Sequence, residues 1–157
     1  MSAEEVEVKF VSRPAFTVAG MLYRGNNANH EIPQLWEQFG PKMGILPHRI
    51  DALTCYGVCD AIDEEAKVFD YIAGCEGKPD EEVPDGMVTR AIPAQTYAVF
   101  TTTLPEIRST MDYIYGTWMP VSDYERGAGP EFELYGEEFN PDDPASRLYI
   151  YVPVAVA

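Results

Sequence analysis

One carboxylate stands inside an apolar run near the end of the sequence, where burial makes a charge costly. The segment PEFELYGEEF (residues 130–139) places Glu133 between Phe132 and Leu134. Alternate side chains of a strand point to opposite faces, so Glu133 and Tyr135 are predicted to share a face. If the apolar pair faces the helices, Glu133 faces a cleft and can act as a counter-charge, whereas on a wet edge strand it is simply solvated. The pattern alone leaves both interpretations open.

Aromatic residues gather near the same predicted strand ends and near the second predicted helix. The sequence has ten tyrosines, and a tyrosine offers a planar ligand a flat apolar face with one polar handle. A ring face within ~6 Å of a cation adds ~0.5–2 kcal/mol, so a carboxylate among such rings suits lipophilic cations. Tyr115 and Trp118 equally fit the apolar stripe of the helix. The residues concerned are Tyr113, Tyr115, Trp118, Tyr124, Tyr135, Tyr149 and Tyr151.

The elements that must position these residues begin with two strands, a helix and two strands. Period-two alternation predicts strands at residues 6–10 and 16–23. Apolar residues at helical spacing predict a helix within residues 31–44, which Gly40-Pro41 ends or kinks. Strands at about 53–59 and 66–73 close the first half. The helix is marked by Ile32, Leu35, Trp36, Phe39 and Met43.

The second half repeats this order. Thr103 and Glu106 fit a capping box at the start of its helix, and Pro105 fits the first turn. The apolar stripe of this helix is Ile107, Met111, Ile114, Tyr115 and Trp118. The strands are predicted near residues 87–92, 95–102, 131–137 and 147–154.

The halves also align in register, which indicates a tandem duplication. Identical residues recur at an offset of 79 at both ends of the halves, and the helices align at an offset of 72. Within one domain (1–157), we predict a first repeat at about 5–75, a linker at about 76–86 and a second repeat at about 87–157. The matched residues are Pro14-Ala15 with Pro93-Ala94, Thr17 with Thr96, Ala19 with Ala98, and Tyr56-Gly57 with Tyr135-Gly136.

This duplication predicts the fold class. We expect an α+β fold of two β-β-α-β-β modules about a pseudo-twofold axis, with antiparallel sheets, helices on one face and a ligand cleft between the modules. In the repeat register, Tyr56 corresponds to Tyr135 and Thr54 corresponds to Glu133. Only one half therefore carries the acid, which holds a ligand off-centre. Glu131, nearer the strand end, is predicted to be solvated.

Composition and motif spacing exclude several classes of function. The net charge is −15, from 11 basic and 26 acidic side chains, and no basic cluster follows a phosphate backbone, so we expect no direct nucleic-acid binding. No signal-like or membrane-spanning run occurs, which predicts a cytoplasmic protein without membrane contact. Three cysteines without paired spacing indicate neither a disulfide framework nor a zinc site, and the two histidines lack ligand spacing. We expect no metal and no cofactor.

Three motifs in the second half are more specific. They are the W-x-P-x-S pattern of Trp118, Pro120 and Ser122, the F-E-x-Y pattern of residues 132–135, and the closing YIYVPV of residues 149–154. With these motifs the chain resembles the GyrI-like small-molecule-binding domains, the effector-binding modules also found at the C-termini of AraC-type and MerR-type regulators. The first module begins at about Val6, which leaves no room for a DNA-binding domain, so a stand-alone protein is expected.

The resemblance implies tandem modules with a pocket between them, in which an acidic residue lies among aromatic side chains. By this resemblance Glu133 is the acid and Trp118 belongs to the aromatic wall, whereas Tyr135 and Tyr151 are added from strand parity. The complete set of predicted ligand-binding residues is Thr54, Tyr56, Tyr115, Trp118, Glu133, Tyr135 and Tyr151.

Three functions follow as hypotheses. The first is capture or sensing of an aromatic or lipophilic, often cationic, small molecule with Glu133 as the counter-charge. The second, implied by the resemblance, is hydrolysis of strained cyclopropane-containing genotoxins, with Glu133 as the catalytic residue. The third, also implied by the resemblance, is inhibition of DNA gyrase as a protein partner, with the acidic surface mimicking nucleic acid. The acidic runs lie in three separate loops rather than on one face, which weakens this last hypothesis.

Overall fold

The computed structural model describes residues 8–45, 54–63, 65, 68–78, 82–136, 138–140 and 142–156. Most of the predicted strands are found within a few residues of their expected limits, and the fourth strand runs on to Gly77, beyond its predicted end. The helices and strands are β1 (Val8–Arg13), β2 (Phe16–Gly25), α1 (Glu31–Phe39), β3 (Cys55–Asp63), β4 (Val68–Gly77), β5 (Val88–Ile92), β6 (Gln95–Thr103), α2 (Ile107–Tyr113), α3 (Met119–Val121), β7 (Tyr124–Arg126), β8 (Glu131–Tyr135) and β9 (Arg147–Val156).

The strands of the described residues form one antiparallel sheet. Its order is β1-β6-β9-β8-β3-β4-β2-β5, and β7 pairs with β9 beside this path. Strands β1, β2, β3 and β4 of the first half correspond to β5, β6, β8 and β9 of the second. When each strand is replaced by its counterpart, the order read from the opposite end is unchanged. The halves do not keep separate sheets, because β1 pairs with β6 and β5 pairs with β2. The α+β fold is confirmed, while the limits of the two repeats stay a prediction.

On one face of the sheet, here called the inner face, side chains from strands that are not neighbours contact each other. Phe16 on β2 contacts Phe132 on β8, with ring centroids 5.6 Å apart, although two strands lie between them in the sheet order. The sheet must therefore curve strongly, as the right-handed twist of strands allows. The buried cluster on the inner face comprises Phe16, Val18, Tyr56, Val58, Ile72, Ile92, Tyr97, Val99 and Phe132.

The opposite face, here called the helix face, carries α1 over the first half and α2 over the second. Leu35 and Phe39 of α1, spaced i and i+4, are buried against side chains of β2 and β4. Ile114, directly after α2, is buried against β6 and β9. The middle strands β3 and β8 lie between these two helical layers, where a cavity opens.

The second helical segment differs from the prediction at both ends. Thr103 Oγ1 lies 2.8 Å from Glu106 Oε1 but caps no backbone amide, so the predicted capping box is wrong. Leu104–Glu106 form a 3-10 turn before α2. After α2, Ile114–Trp118 widen into a π-helical turn, a geometry that often occurs beside functional sites.

Candidate functional site

A cavity of about 180 Å³ lies on the helix face between α1 and α2. Strands β3 and β8 form its floor, while Ile32 of α1 and Met111 of α2 contribute to its sides. This position follows from the fold, because one helical layer covers β2 and β4, the other covers β6 and β9, and the middle strands between them are left open. The cavity is lined by Ile32, Gly57, Cys59, Phe69, Tyr71, Met111, Glu131, Phe132, Glu133 and Ile150.

Glu133 lies at the floor of this cavity, and two tyrosines bind the same oxygen of its carboxylate. The hydroxyls of Tyr71 and Tyr135 each donate to Glu133 Oε1 at 2.7 Å. Trp36 Nε1 donates to the Tyr71 hydroxyl at 3.0 Å, and the Trp36 ring lies edge-on to that of Tyr135 at 5.4 Å. Both phenols bind Oε1, and no hydrogen bond from a described residue to Oε2 is found.

Gly57 on β3 makes room for the contact between Tyr71 and Glu133. It is the cross-strand partner of Glu133. A methyl group on Gly57 would collide with the Tyr71 hydroxyl and lie 2.6 Å from Glu133 Oε1. The absence of a side chain therefore lets the Tyr71 phenol cross β3 and reach a carboxylate on the next strand.

Glu133 has no cationic partner in the described residues, since none of the ion pairs found there includes it. Burial raises the pKa of its carboxyl, the hydrogen bonds from Tyr135 and Tyr71 oppose that rise, and the nearby charge of Glu131 adds to it. The pKa of Glu133 is raised overall. A cation in the cavity would therefore stabilise the ionised form.

The two phenols that bind Glu133 are themselves hard to ionise. Burial, followed by the charge of Glu133, raises the pKa of both Tyr71 and Tyr135 well above the usual range for tyrosine. Both hydroxyls consequently keep their protons near neutral pH and act as hydrogen-bond donors to the carboxylate.

Glu131 is a second carboxylate in the same cavity, which corrects the prediction that it is solvated. Its residue is only 8% exposed. Tyr115 donates to Glu131 Oε1 at 2.6 Å, and Arg126 Nη2 lies 3.5 Å from the same oxygen. Glu131 and Glu133 share a face because they are two residues apart on β8.

Arg126 comes from β7, a three-residue strand that the sequence patterns did not predict. Its Nη1 donates to the carbonyl oxygens of Gly127 and Gly129 at 2.6 and 3.0 Å. Gly129 has a φ of +100°, a conformation that favours glycine. The glycine-rich turn after β7 thus holds the guanidinium beside Glu131.

The structure brings only part of the predicted site together. Tyr135 binds Glu133, and Tyr115 binds the neighbouring Glu131. Trp118 does not line the cavity, because it packs between Phe100, at 5.1 Å, and Tyr124, at 6.3 Å between ring centroids. Thr54 precedes β3 and is also not among the lining residues.

The expectation that Tyr56 and Tyr151 share the side of Glu133 is wrong. Tyr56 pairs with Leu134 and Tyr151 pairs with Phe132, so both lie on the inner face. The guanidinium of Arg13 occupies the space between these rings, 5.5 Å from Tyr56 and 5.9 Å from Tyr151.

Strand parity on β8 is as predicted, but the assignment of its two faces was reversed. The apolar pair of β8 faces the inner face, and Glu133 shares its side with the helices. On the inner face, side chains from distant strands of the curved sheet pack against each other. The alternation pattern of one strand does not reveal this packing. Sequence reasoning also missed Tyr71, Trp36, Gly57 and Arg126, which reach the site from four other elements.

Cys59 lines the cavity but has little capacity as a nucleophile. Burial raises the pKa of its thiol far above the usual range, and the charges of Glu131 and Glu133 raise it further. The thiol is therefore protonated near neutral pH, whereas the thiolate is the reactive form.

A second hollow of about 500 Å³ lies at the end of the β8–β9 connection, and Glu133 is not among its lining residues. Its walls include Phe139, Arg147 and Tyr149. Within the described ranges, no group of three His, Cys, Asp or Glu side chains is placed to hold a metal ion. In the same part of the chain, no helix has the length and apolar character to cross a membrane.

Comparison with known proteins identifies the family. Residues 9–154 match the family model described as Cass2, integron-associated effector binding protein. The chain belongs to this effector-binding family. It is also 38% identical over 152 residues to the transcriptional regulator BrlR of Pseudomonas aeruginosa, a match that covers 95% of the chain and 56% of the regulator. The chain thus spans little more than half the length of this relative.

Solved structures show the same fold at low sequence identity. The effector-binding chain superposes on SAV2435 bound to tetraphenylphosphonium with a TM-score of 0.74 and 16% identity, covering 95% of this chain and 94% of SAV2435. It superposes on the integron cassette protein VCH_CASS2 of Vibrio cholerae with a TM-score of 0.60 and 19% identity, covering 94% and 95%.

Proposed function

We propose that the chain binds a compact aromatic or lipophilic organic cation in the helix-face cavity, with Glu133 as the counter-charge. The observation that carries this proposal is a half-buried carboxylate without a cationic partner in the described residues. Removing such a charge from water costs desolvation free energy, and a bound cation offsets this cost by supplying the opposite charge. Membership of an effector-binding family supports small-molecule binding.

The aromatic side chains of the cavity favour a ligand that carries an aromatic ring. Tyr71 and Phe69 lie among its lining residues on the same side of the sheet as the carboxylate, and an aromatic face attracts a cation that lies within ~6 Å of its centre. The volume of about 180 Å³ is smaller than the ~300–1,000 Å³ typical of drug-sized ligands. A ligand with one ring and one charged group matches this size, and a larger cation needs the flanking helices to move apart. SAV2435, which shares the fold, was solved with tetraphenylphosphonium.

A matched pair of ligands tests this role of Glu133. Phenyltrimethylammonium and tert-butylbenzene have nearly the same shape and differ in charge. We expect Glu133→Gln to raise the Kd of the cation by about ten-fold or more while changing that of the neutral compound much less. Glu125→Gln, which removes an exposed acid from β7, serves as the control and is expected to leave both affinities unchanged. Equal weakening of the two ligands by Glu133→Gln would count against the proposal.

The raised pKa of Glu133 also favours a second candidate, hydrolysis of strained cyclopropane-containing compounds. A carboxyl whose pKa is shifted upward can donate a proton to a departing group or accept one from water, for a rate gain of ~10²–10⁴. The test is mass spectrometry of a reactive cyclopropane compound after incubation with the wild-type protein and with Glu133→Gln. Recovery of only intact compound from the wild-type protein removes this candidate. Inhibition of DNA gyrase has no comparable support and is not proposed.

A further inference from the structure

We infer that Arg126 determines the charge of the ligand, by neutralising Glu131 and leaving the cavity one unbalanced carboxylate, so that singly charged cations are selected over doubly charged ones. This inference rests on the proposed function, since it concerns the same cavity. It assigns a specificity-determining role to a residue outside the predicted site.

The first step is the spacing of the two acids. Glu131 and Glu133 are two residues apart on β8 and both line the cavity. Side chains two positions apart on a strand are separated by about 6.6 Å along the chain. A rigid ligand with two ammonium groups at a similar separation could therefore pair with both carboxylates, if neither were already neutralised.

The second step is that only one of them lacks a cationic partner in the described residues. Glu131 Oε1 accepts a hydrogen bond from Tyr115 and pairs with Arg126. The guanidinium is held in place by the carbonyl groups of Gly127 and Gly129. Neither of these partners contacts Glu133, whose donors are two neutral phenols.

The third step is a count of charges. Among the described residues that line the cavity, Glu131 and Glu133 are the charged ones. Two carboxylates and the adjoining guanidinium sum to one negative charge. A monocation neutralises this charge, whereas a dication leaves an excess positive charge beside Arg126 in a region of low dielectric, where like charges repel strongly.

Benzylammonium and its dicationic analogue 1,4-bis(ammoniomethyl)benzene are the probes, measured by calorimetric titration at one salt concentration. We expect the wild-type protein to prefer the monocation. Arg126→Gln should shift the ratio of the two Kd values toward the dication by about ten-fold, the order found for close charge pairs. Arg126→Lys keeps the charge and should keep the wild-type preference. Arg108→Gln removes an exposed charge from α2 and should leave the ratio unchanged.

A double variant makes the charge count decisive even if Arg126→Gln lowers stability. Glu131→Gln leaves Glu133 and Arg126 with no net charge, so its affinity for benzylammonium should fall by about ten-fold. Glu131→Gln combined with Arg126→Gln restores one negative charge and should return the affinity to within about three-fold of the wild-type value. Circular dichroism of each variant checks that it is folded.

The outcomes separate this inference from the proposed function. If Glu133→Gln abolishes cation binding but Arg126→Gln leaves the ratio of Kd values unchanged, the charge-selecting role of Arg126 is overturned and the proposed function stands. A folded double variant that does not regain affinity also overturns the inference. If the wild-type protein binds neither probe, both fall together.

Discussion

Glu133 is half-buried. Its charge has no cationic partner in the described residues, and two phenol donors hold the carboxylate in place. The hydroxyls of Tyr71 and Tyr135 occupy one carboxylate oxygen, yet they do not offset the full effect of burial, since the pKa of Glu133 stays raised. The side chain therefore lowers the stability of the empty protein at neutral pH. Sites that sacrifice stability in this way are commonly functional sites.

Replacing this charge by an amide is expected to stabilise the protein as the pH rises. Because the folded-state pKa of Glu133 is raised, its contribution to stability is present below the unfolded-state pKa of ~4.3 and is lost as the pH rises through the folded-state value. The difference in unfolding free energy between Glu133→Gln and the wild-type protein should therefore grow with pH over this window and then level off. Urea denaturation at a series of pH values measures it, and a difference independent of pH would contradict the raised pKa.

Binding of a permanent cation should release protons. A positive charge beside Glu133 lowers the pKa of its carboxyl, so the complex holds fewer protons than the free protein near that pKa. Calorimetric titration with phenyltrimethylammonium in buffers of different ionisation enthalpy measures the number of protons released. We expect release from the wild-type protein and none from Glu133→Gln. The same proton count in both proteins would assign the release to another group.

The pairing of Glu133 with Tyr135 could be predicted from the alternation of one strand, and the structure shows that contact. The contribution of Tyr71 could not, because its hydroxyl reaches Glu133 across an intervening strand at a glycine. The alternation of one strand shows which of its own side chains share a face. It does not show which side chain from another strand will reach them, because that depends on the order of strands in the sheet.

At the scale of elements, β3 and β8 form the floor of the cavity, and the Tyr71 phenol can cross β3 because residue 57 is a glycine. The repeat alignment matched Tyr56-Gly57 with Tyr135-Gly136, but it gave no reason for the glycine. The structure supplies the reason, since the Tyr71 hydroxyl passes over the position that a side chain would fill. Strand β7 escaped prediction because three residues are too few to show a period, and with it the position of Arg126 was missed.

Gly57→Ala is therefore expected to destabilise the protein and to weaken cation binding. The added methyl group must displace the Tyr71 phenol or the Glu133 carboxylate, and overpacking of this kind costs ~1–3 kcal/mol of unfolding free energy. Gly116→Ala is the matched control, because a methyl group at Gly116 meets no atom within 4 Å and its site lies in the π-helical turn. Urea denaturation should show a change of at most ~1 kcal/mol for Gly116→Ala, in the stabilising direction. A Gly57→Ala protein as stable as the wild type would refute the close contact.

At the scale of the whole molecule, the two halves depend on each other through exchanged strands. β1 hydrogen-bonds to β6 of the second half, and β5 hydrogen-bonds to β2 of the first half. The duplicated order of elements could be predicted from the sequence offsets. The exchange could not, because a repeat pattern does not specify whether a first strand pairs within its own module or with the other.

The exchange predicts that the halves fold only together. A chain broken between Lys78 and Glu82 leaves β1 and β5 without their partners in the separate fragments, and unpaired strands favour aggregation. We expect each fragment alone to lack stable structure and an equimolar mixture to regain the circular dichroism of the intact protein. A fragment that unfolds cooperatively by itself would contradict the interlocked sheet.

The location of a bound cation tests the central claim most directly. A crystal structure of the protein with phenyltrimethylammonium should show the ammonium group on the helix face, within about 6 Å of the Glu133 carboxylate, with the ring against Tyr71 or Phe69. Two other positions would contradict the account. One is the inner face, where the cation would replace the Arg13 guanidinium between Tyr56 and Tyr151, and the other is the hollow beside Arg147 and Tyr149.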